Sequence, residues 1–377
     1  MPKNESLYER LRRYEWSKTE PETLTGLVQE AIDMGGEAQQ KQDQLRKSSE
    51  KVFALLSKSN LIFEIDYVDS EKWLAQCTVG LDGSHQLVGG IGGQWYVPIS
   101  VALVIFENGL SGKIEVKVDA HIVPIQETEF TRVGSLASER MLEVETKAIF
   151  EWAKRNRESL LFIDGPIVDP PTCMKKDYVS HRCNGIKECL RRGVLVIGCA
   201  KRVRESHFKK WVLEQTPDTE KYKTHIKAFP SDLQLLAYTF GRYWQGKGAL
   251  GGSVASVPID SSEATNVYKL YREQGIYVFS TFVQKGQRYY LLRLDVPFLA
   301  EEASSKEYVD KRMREAIDAT LAWTYPEHTI PMPIFLADNK CDIRKGCAEV
   351  LYQEILTKSR TTDPFDNIVT LQLEARL

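Results

Sequence analysis

Apolar positions along the chain follow two periods. Residues 20–58 carry Leu24, Leu27, Ala31, Met34, Leu45, Val52, Leu55 and Leu56 at loosely helical spacing around a polar middle, GEAQQKQDQLRKSSEK. Gly35-Gly36 interrupts this pattern and predicts a helical pair or a kinked arm, polar enough to serve as a partner surface. From Asn60 the period shortens. TVGLDGSH (78–85), WYVPISVALVIF (95–106) and KIEVKVDAHIV (113–123) read as three consecutive antiparallel strands, with a glycine-rich link at 89–93 and a turn signal at Asn108-Gly109. A helix over 135–156, a strand over 160–164, a helix over 181–193 and a strand over 194–200 follow. Residues 212–275 give no clear period. A hairpin over 276–283 and 288–297, turning at Gly286, precedes two closing helices at about 305–322 and 334–357.

Two of these strands end alike. In TVGLDGSH and in LLFIDGP, a short apolar run stops at a carboxylate followed by glycine: Asp82-Gly83 and Asp164-Gly165. Aspartate is poorly suited to a strand interior and costly to bury without a partner, but at a strand's exit it can point into a site. The helix at 135–156 adds a third carboxylate. Its apolar stripe is Ala137, Met141, Val144, Ala148 and Trp152, and Glu145 lies inside it, whereas Glu143 falls with Glu139, Thr146 and Lys147 on the polar side. A helix packed on the sheet would carry Glu145 over the strand ends. Three carboxylates from two strands and a helix form a hard-oxygen site suited to Mg²⁺ or Mn²⁺, which in pairs activate water in phosphodiester cleavage. The same residues are also compatible with two ordinary Asp-Gly turns and a boundary glutamate, and Glu143 replaces Glu145 if the helix phase is shifted.

Composition narrows the classes. The chain has 377 residues, 42% hydrophobic and 27% charged, a formal charge of −2 and no apolar run long enough to span a membrane. Its N-terminus, MPKNESLYERLRRYEW, lacks the apolar core of a signal peptide, so a cytoplasmic protein is expected. The seven cysteines form no metal or disulfide spacing and read as reduced packing thiols. The net charge excludes nucleic-acid coating by bulk charge. A local cluster remains: Lys201, Arg202, Arg204, Lys209 and Lys210, then Lys221, Lys223 and Lys227, readable as phosphate contacts or as a solvated helix face. His85, just after Asp82, is either a helper at the metal or a turn residue. GRYWQGKG (241–248) nearly matches a phosphate-binding loop but has Gly248 where the magnesium-binding hydroxyl belongs, which argues against nucleotide hydrolysis.

The ordered set LDGS (81–84), ETKA around Glu145, FIDGP (162–166), a strand leading into Lys201, RLDVP (293–297) and IPMPIFLAD (330–338) resembles the NurA nuclease family. That resemblance implies an α/β, RNase H-like mixed sheet flanked by helices, with an N-terminal helical extension at 1–70 and the nuclease domain at 71–377. It also implies a Mn²⁺- or Mg²⁺-dependent DNase, with two ions, that joins endonuclease and 5′-to-3′ exonuclease activity in DNA end processing or defence. A homodimer and partnership with HerA, a hexameric ATP-driven DNA translocase, are implied as well. Carried over residue by residue, Asp82, Glu145 and Asp164 would be metal ligands. The family often opens its last motif with Tyr-Pro and closes it in Ala-His, where this chain has Ile330-Pro331 and Ala337-Asp338. Asp338 is therefore either a fourth ligand or an acidic residue favoured by a helix dipole. The altered motif also leaves open a catalytically weak subunit that assembles on the ATPase and guides DNA.

Overall fold

The computed structural model describes residues 21–359, apart from 67, 92–93, 128, 156–157, 170–172, 174, 204, 216–218, 246–251, 287–289 and 326–329. It opens with α1 (Pro21–Lys58), β1 (Ile62–Ile65) and α2 (Ser70–Ala75), then β2 (Thr78–His85), β3 (Gly90–Ile91), β4 (Gln94–Leu110) and β5 (Ile114–Gln126). Helix α3 (Phe130–Ala153), β6 (Leu160–Asp164), α4 (Lys176–Arg191) and β7 (Leu195–Ala200) follow. Then come α5 (His207–Gln215), α6 (Thr219–Lys227), α7 (Asp232–Gln245), β8 (Ser253–Ser256), β9 (Ile259–Asp260), α8 (Asn266–Glu273), β10 (Ile276–Gln284) and β11 (Leu292–Leu299). Four helices close the described chain: α9 (Ala300–Ala303), α10 (Lys306–Trp323), α11 (Met332–Cys341) and α12 (Lys345–Ser359).

The strands build one 11-stranded mixed sheet in the order β1-β8-β10-β11-β7-β6-β2-β4-β3, with β5 beside β4 and β9 beside β10. Strands β2, β6 and β7 run parallel, and the remaining pairs are antiparallel. This is the expected RNase H-like class: strands 2, 4 and 5, a helix, a strand, a helix and a strand, flanked by helices on both faces. Alternation sorts the core. Val79, Leu81, Leu161 and Ile163 face α3 and α4, while Leu160, Phe162, Ala102 and Val104 face α10 and α11.

Several local expectations are corrected. Gly35-Gly36 does not break α1, which is one 38-residue helix; each glycine costs about 1 kcal/mol, too little to stop a helix supported elsewhere along its length. Helix α1 is exposed until Leu45, where its apolar stripe meets α6 and α7. The β4–β5 ladder ends at Phe106 opposite Ile114, so Asn108-Gly109 lies in the connection as expected: Gly109 takes a positive φ of 64° and its carbonyl accepts the Gly112 N–H at 3.2 Å. The helix expected over 334–357 is two, broken at Asp342, whose backbone is extended. The unclear region 212–275 holds α6, α7, β8, β9 and α8. Residues Gly241–Gln245 of the near-match to a phosphate loop are the helical end of α7, and its glycine-rich part lies outside the described residues.

Candidate metal centre

Strands β2 and β6 run parallel, with Leu81 opposite Ile163, so Asp82 and Asp164 leave the sheet side by side. Both share a face with Phe162 and Ala102, the face that α11 covers. Helix α11 reaches the strand because residue 80 is glycine: a Cβ there would lie 2.0 Å from the Pro333 carbonyl oxygen. Seated so, α11 brings Asp338 over the strand ends. One carboxylate oxygen each from Asp82, Asp164 and Asp338 lies within 4.8 Å of the others.

Glu145 approaches from the opposite face. Its Oε1 would be 2.7 Å from a Cβ at Gly83, so glycine is what lets α3 carry this carboxylate onto the strand. The side chain is buried, in agreement with the helix phase, whereas Glu143 is exposed and pairs with Arg140 at 2.8 Å. Glu145 stands behind the trio rather than in it, held by the fully buried Arg182 at 3.6 Å. Arg182 also stands 3.7 Å from Asp169, which accepts the hydroxyls of Tyr178 and Tyr271 at 2.8 Å each. Two residues placed on the polar side of α3 are buried instead: Thr146 donates to the Leu142 carbonyl, and Glu139 pairs with Lys175. The cause is that α3 packs on α4 as well as on the sheet, so it has two buried faces.

The electrostatics are those of a site short of positive charge. Burial, then the neighbouring Asp164 and Glu145 carboxylates, push Asp82 up to about 8. Burial pushes Glu145 up to about 7, against the pull of Arg182. Asp164 is also raised, mainly by burial, although Lys201 Nζ donates to its Oδ2 at 2.7 Å. Burial alone would lower the Lys201 ammonium; Asp164, Asp82 and Asp338 outweigh it and hold the ammonium above its ordinary value. Hard carboxylate oxygens at this spacing, partly buried and repelling one another, fit a divalent cation such as Mn²⁺ or Mg²⁺.

Of the basic cluster, Lys201 is brought to the site and Arg202 is exposed beside it, near enough to act on Asp164. Arg204 lies outside the described residues. Lys209 is not on a solvated face: it is buried, and its ammonium donates to the Phe229 carbonyl. His85 ends β2, half-buried, with burial holding it below its ordinary value. Asp338 sits in the second half of α11, away from the positive end of the dipole. None of the seven cysteines forms a disulfide, and six of them are buried. Among the described residues no helix is long and apolar enough to cross a membrane. Arg182 went unnoticed in sequence. Its signal was available, since it falls inside the stripe Tyr178, Val179, Cys183, Ile186 and Cys189, as Glu145 does in its own helix.

The sequence model of the NurA domain matches residues 40–339. Among solved structures, the NurA nuclease from Sulfolobus solfataricus is similar at a TM-score of 0.58 and 12% identity, covering 92% of this chain and 100% of that one. An Endonuclease V from Bacillus subtilis aligns at a TM-score of 0.36 and 12% identity, over 81% of this chain and 92% of that one. Endonuclease V from Ciona intestinalis, solved with an inosine-containing 24mer DNA, aligns at 0.36 and 15% identity, over 84% and 99%. No curated protein sequence matches.

Proposed function

The chain belongs to the NurA family, and from that premise we propose that it is a metal-dependent DNA nuclease that hydrolyses phosphodiesters with two divalent ions. The observation that carries this reading is the convergence of Asp82, Asp164 and Asp338 within 4.8 Å. When bound, Mn²⁺ or Mg²⁺ would supply water activation and charge stabilisation at the leaving oxygen. Asp82, Asp164 and Asp338 would hold the metal, and Glu145, behind them beside Gly83 and held by Arg182, is the further ligand that the family resemblance implies and would have to reach round the strand end to join them. Lys201, which donates to Asp164 Oδ2 at 2.7 Å, stands where its ammonium would contact a phosphate oxygen of DNA at the metal's edge. Arg202 would extend that contact along the backbone, giving position rather than sequence readout, and Arg204, outside the described residues, is the further candidate from sequence.

The activity is read as endonuclease with 5′-to-3′ exonuclease, by a cytoplasmic homodimer working with a HerA-type translocase in end processing or defence. Similarity to the NurA family supports the paired activities, the homodimer and the translocase; the division into an extension at 1–70 and a nuclease domain at 71–377 is read from the sequence alone, and the family match begins at residue 40. The test compares Mn²⁺-dependent cleavage of linear DNA by wild type, Asp82→Ala and Asp164→Ala. Loss in both variants is expected. Equal cleavage by all three would sink the site. A wild type that cleaves nothing yet binds the translocase would instead be an assembly subunit, the role the altered Ile330-Pro331 and Ala337-Asp338 motif would suit.

A further inference from the structure

Strand β5 pairs only with β4 among the described residues, so a 13-residue strand forms an open edge of the sheet. Such an edge is a template for pairing with another chain unless charge, proline or a covering element blunts it. Here one face is apolar and about half exposed: Ile114, Val116, Val118 and Ile122 are 41–50% exposed, with Ile122 at the end that lies beside the α11–α12 junction. The other face alternates Glu115, Lys117, Asp119 and His121.

The order of these residues is self-complementary. In an antiparallel pair of two β5 strands with Val118 opposite Val118, Lys117 meets Asp119 and Glu115 meets His121. On the apolar face, Ile114 meets Ile122 and Val116 meets Ala120. Shifting the centre by one residue puts Lys117 opposite Lys117 or Asp119 opposite Asp119, and like charges directly opposite each other destabilise a strand pair. The ends agree as well. With Val118 at the centre, the turn residue Gly112 falls opposite Pro124, which has no N–H to continue a ladder. Both limits of the pairing thus follow from one register, and 114–122 remains between them.

We propose that two copies of this chain join through antiparallel pairing of their β5 edges, centred on Val118, into one continuous sheet across the two-fold axis. The partner is a second copy because the charge pattern is complementary to itself. The proposal rests on the homodimer reading above and makes no use of the carboxylate site. Glu115 and Asp119 already meet Arg155 and Lys147 within the chain, so the cross-axis pairs add to an existing ladder of charges.

The test is oligomeric state by sedimentation. Lys117→Glu sets Glu against Asp119 twice by symmetry, and Asp119→Lys sets Lys against Lys117 twice. Each variant is expected to raise the dimer dissociation constant about tenfold or more. Mixing the two variants restores both opposite-charge pairs, so the mixture is expected to dimerise where neither alone does. Val118→Asp, with two like charges at the axis, is expected to be monomeric with unchanged circular dichroism. A wild type that is monomeric overturns both the homodimer reading and this interface. A wild-type dimer that Val118→Asp leaves intact, or single variants that do not recover on mixing, overturns the interface alone and assigns the apolar stripe to another occupant. Mn²⁺-dependent cleavage, measured separately, reports on the nuclease reading.

Discussion

Asp82 and Asp295 are both buried aspartates of the same sheet, yet only one stands in a cluster of converging carboxylates. Asp295, on β11, is fully buried, and Arg293 pairs with it, Nη2 donating to Oδ2 at 3.0 Å and Nε standing 2.9 Å from Oδ1 as a charge contact. Ser280 donates to it at 2.7 Å, and Arg293 is itself bonded to Glu205 and to the Tyr268 hydroxyl. Asp82 receives the Gly83 N–H at 2.8 Å, and among the described residues no ion pair reaches it; around it stand Asp164, Glu145 and Asp338. Burial is therefore not what marks a site. The mark is burial with the counter-charge withheld, which leaves a demand that a metal ion can fill.

The comparison breaks first on activity. Asp82→Asn is expected to lower Mn²⁺-dependent DNA cleavage by roughly 10²–10³-fold, measured as initial rates on linear DNA, with circular dichroism unchanged. Arg293→Met should do the reverse. Leaving Asp295 buried without its partner is expected to destabilise the fold by about 3–5 kcal/mol in urea unfolding, while cleavage per folded molecule persists. If Arg293→Met were neutral in stability and lethal to activity, the contrast between the two aspartates would fail.

The third prediction uses pH. A carboxyl at about 8 in the folded protein and near 4 unfolded binds more protons when folded throughout that window. The metal-free protein therefore loses stability as pH rises from about 4 to about 8, and Asp82→Asn removes that loss. In chelator, the variant should gain on wild type across this range, by ~2–4 kcal/mol at the upper end. A difference that stayed flat with pH would show Asp82 ionised without metal. Smaller again, Lys201→Met should reduce the slope of DNA affinity against salt by about one contact. Least of all, Glu143→Gln, an exposed partner of Arg140, should change stability by no more than about 0.5 kcal/mol and leave cleavage intact.

Much of the centre was legible because its signals are local. An apolar run ending in Asp-Gly is visible in eight residues, and helix phase alone separates Glu145 from Glu143. The helix face at Thr146 and Glu139 was misread because a second packing partner, α4, is a tertiary fact that one helix's period does not encode. Whether Asp338 joins Asp82 and Asp164 depended on how closely α11 could approach, which Gly80 decides from more than 250 residues away. The single break between α11 and α12 was not visible in the apolar period, and α1 runs through Gly35-Gly36, where a Cβ would meet nothing within 4 Å, supported by its packed half beyond Leu45. Lys209 shows the limit of charge counting: a run of basic residues in sequence divides, in space, between a buried carbonyl contact and the carboxylate centre.

The seat of α11 on Gly80 also sets a clock. A ribosome delivers Asp82 and Asp164 early, and Asp338 only after most of the sheet has been synthesised. Until α11 docks against the bare backbone of β2, the growing chain carries two of the three converging carboxylates and lacks the third. A chain truncated before Met332 would keep the strands of the centre and lose the third of its converging carboxylates. The three-carboxylate cluster is thus completed, by chain order alone, only when the last third of the chain has docked.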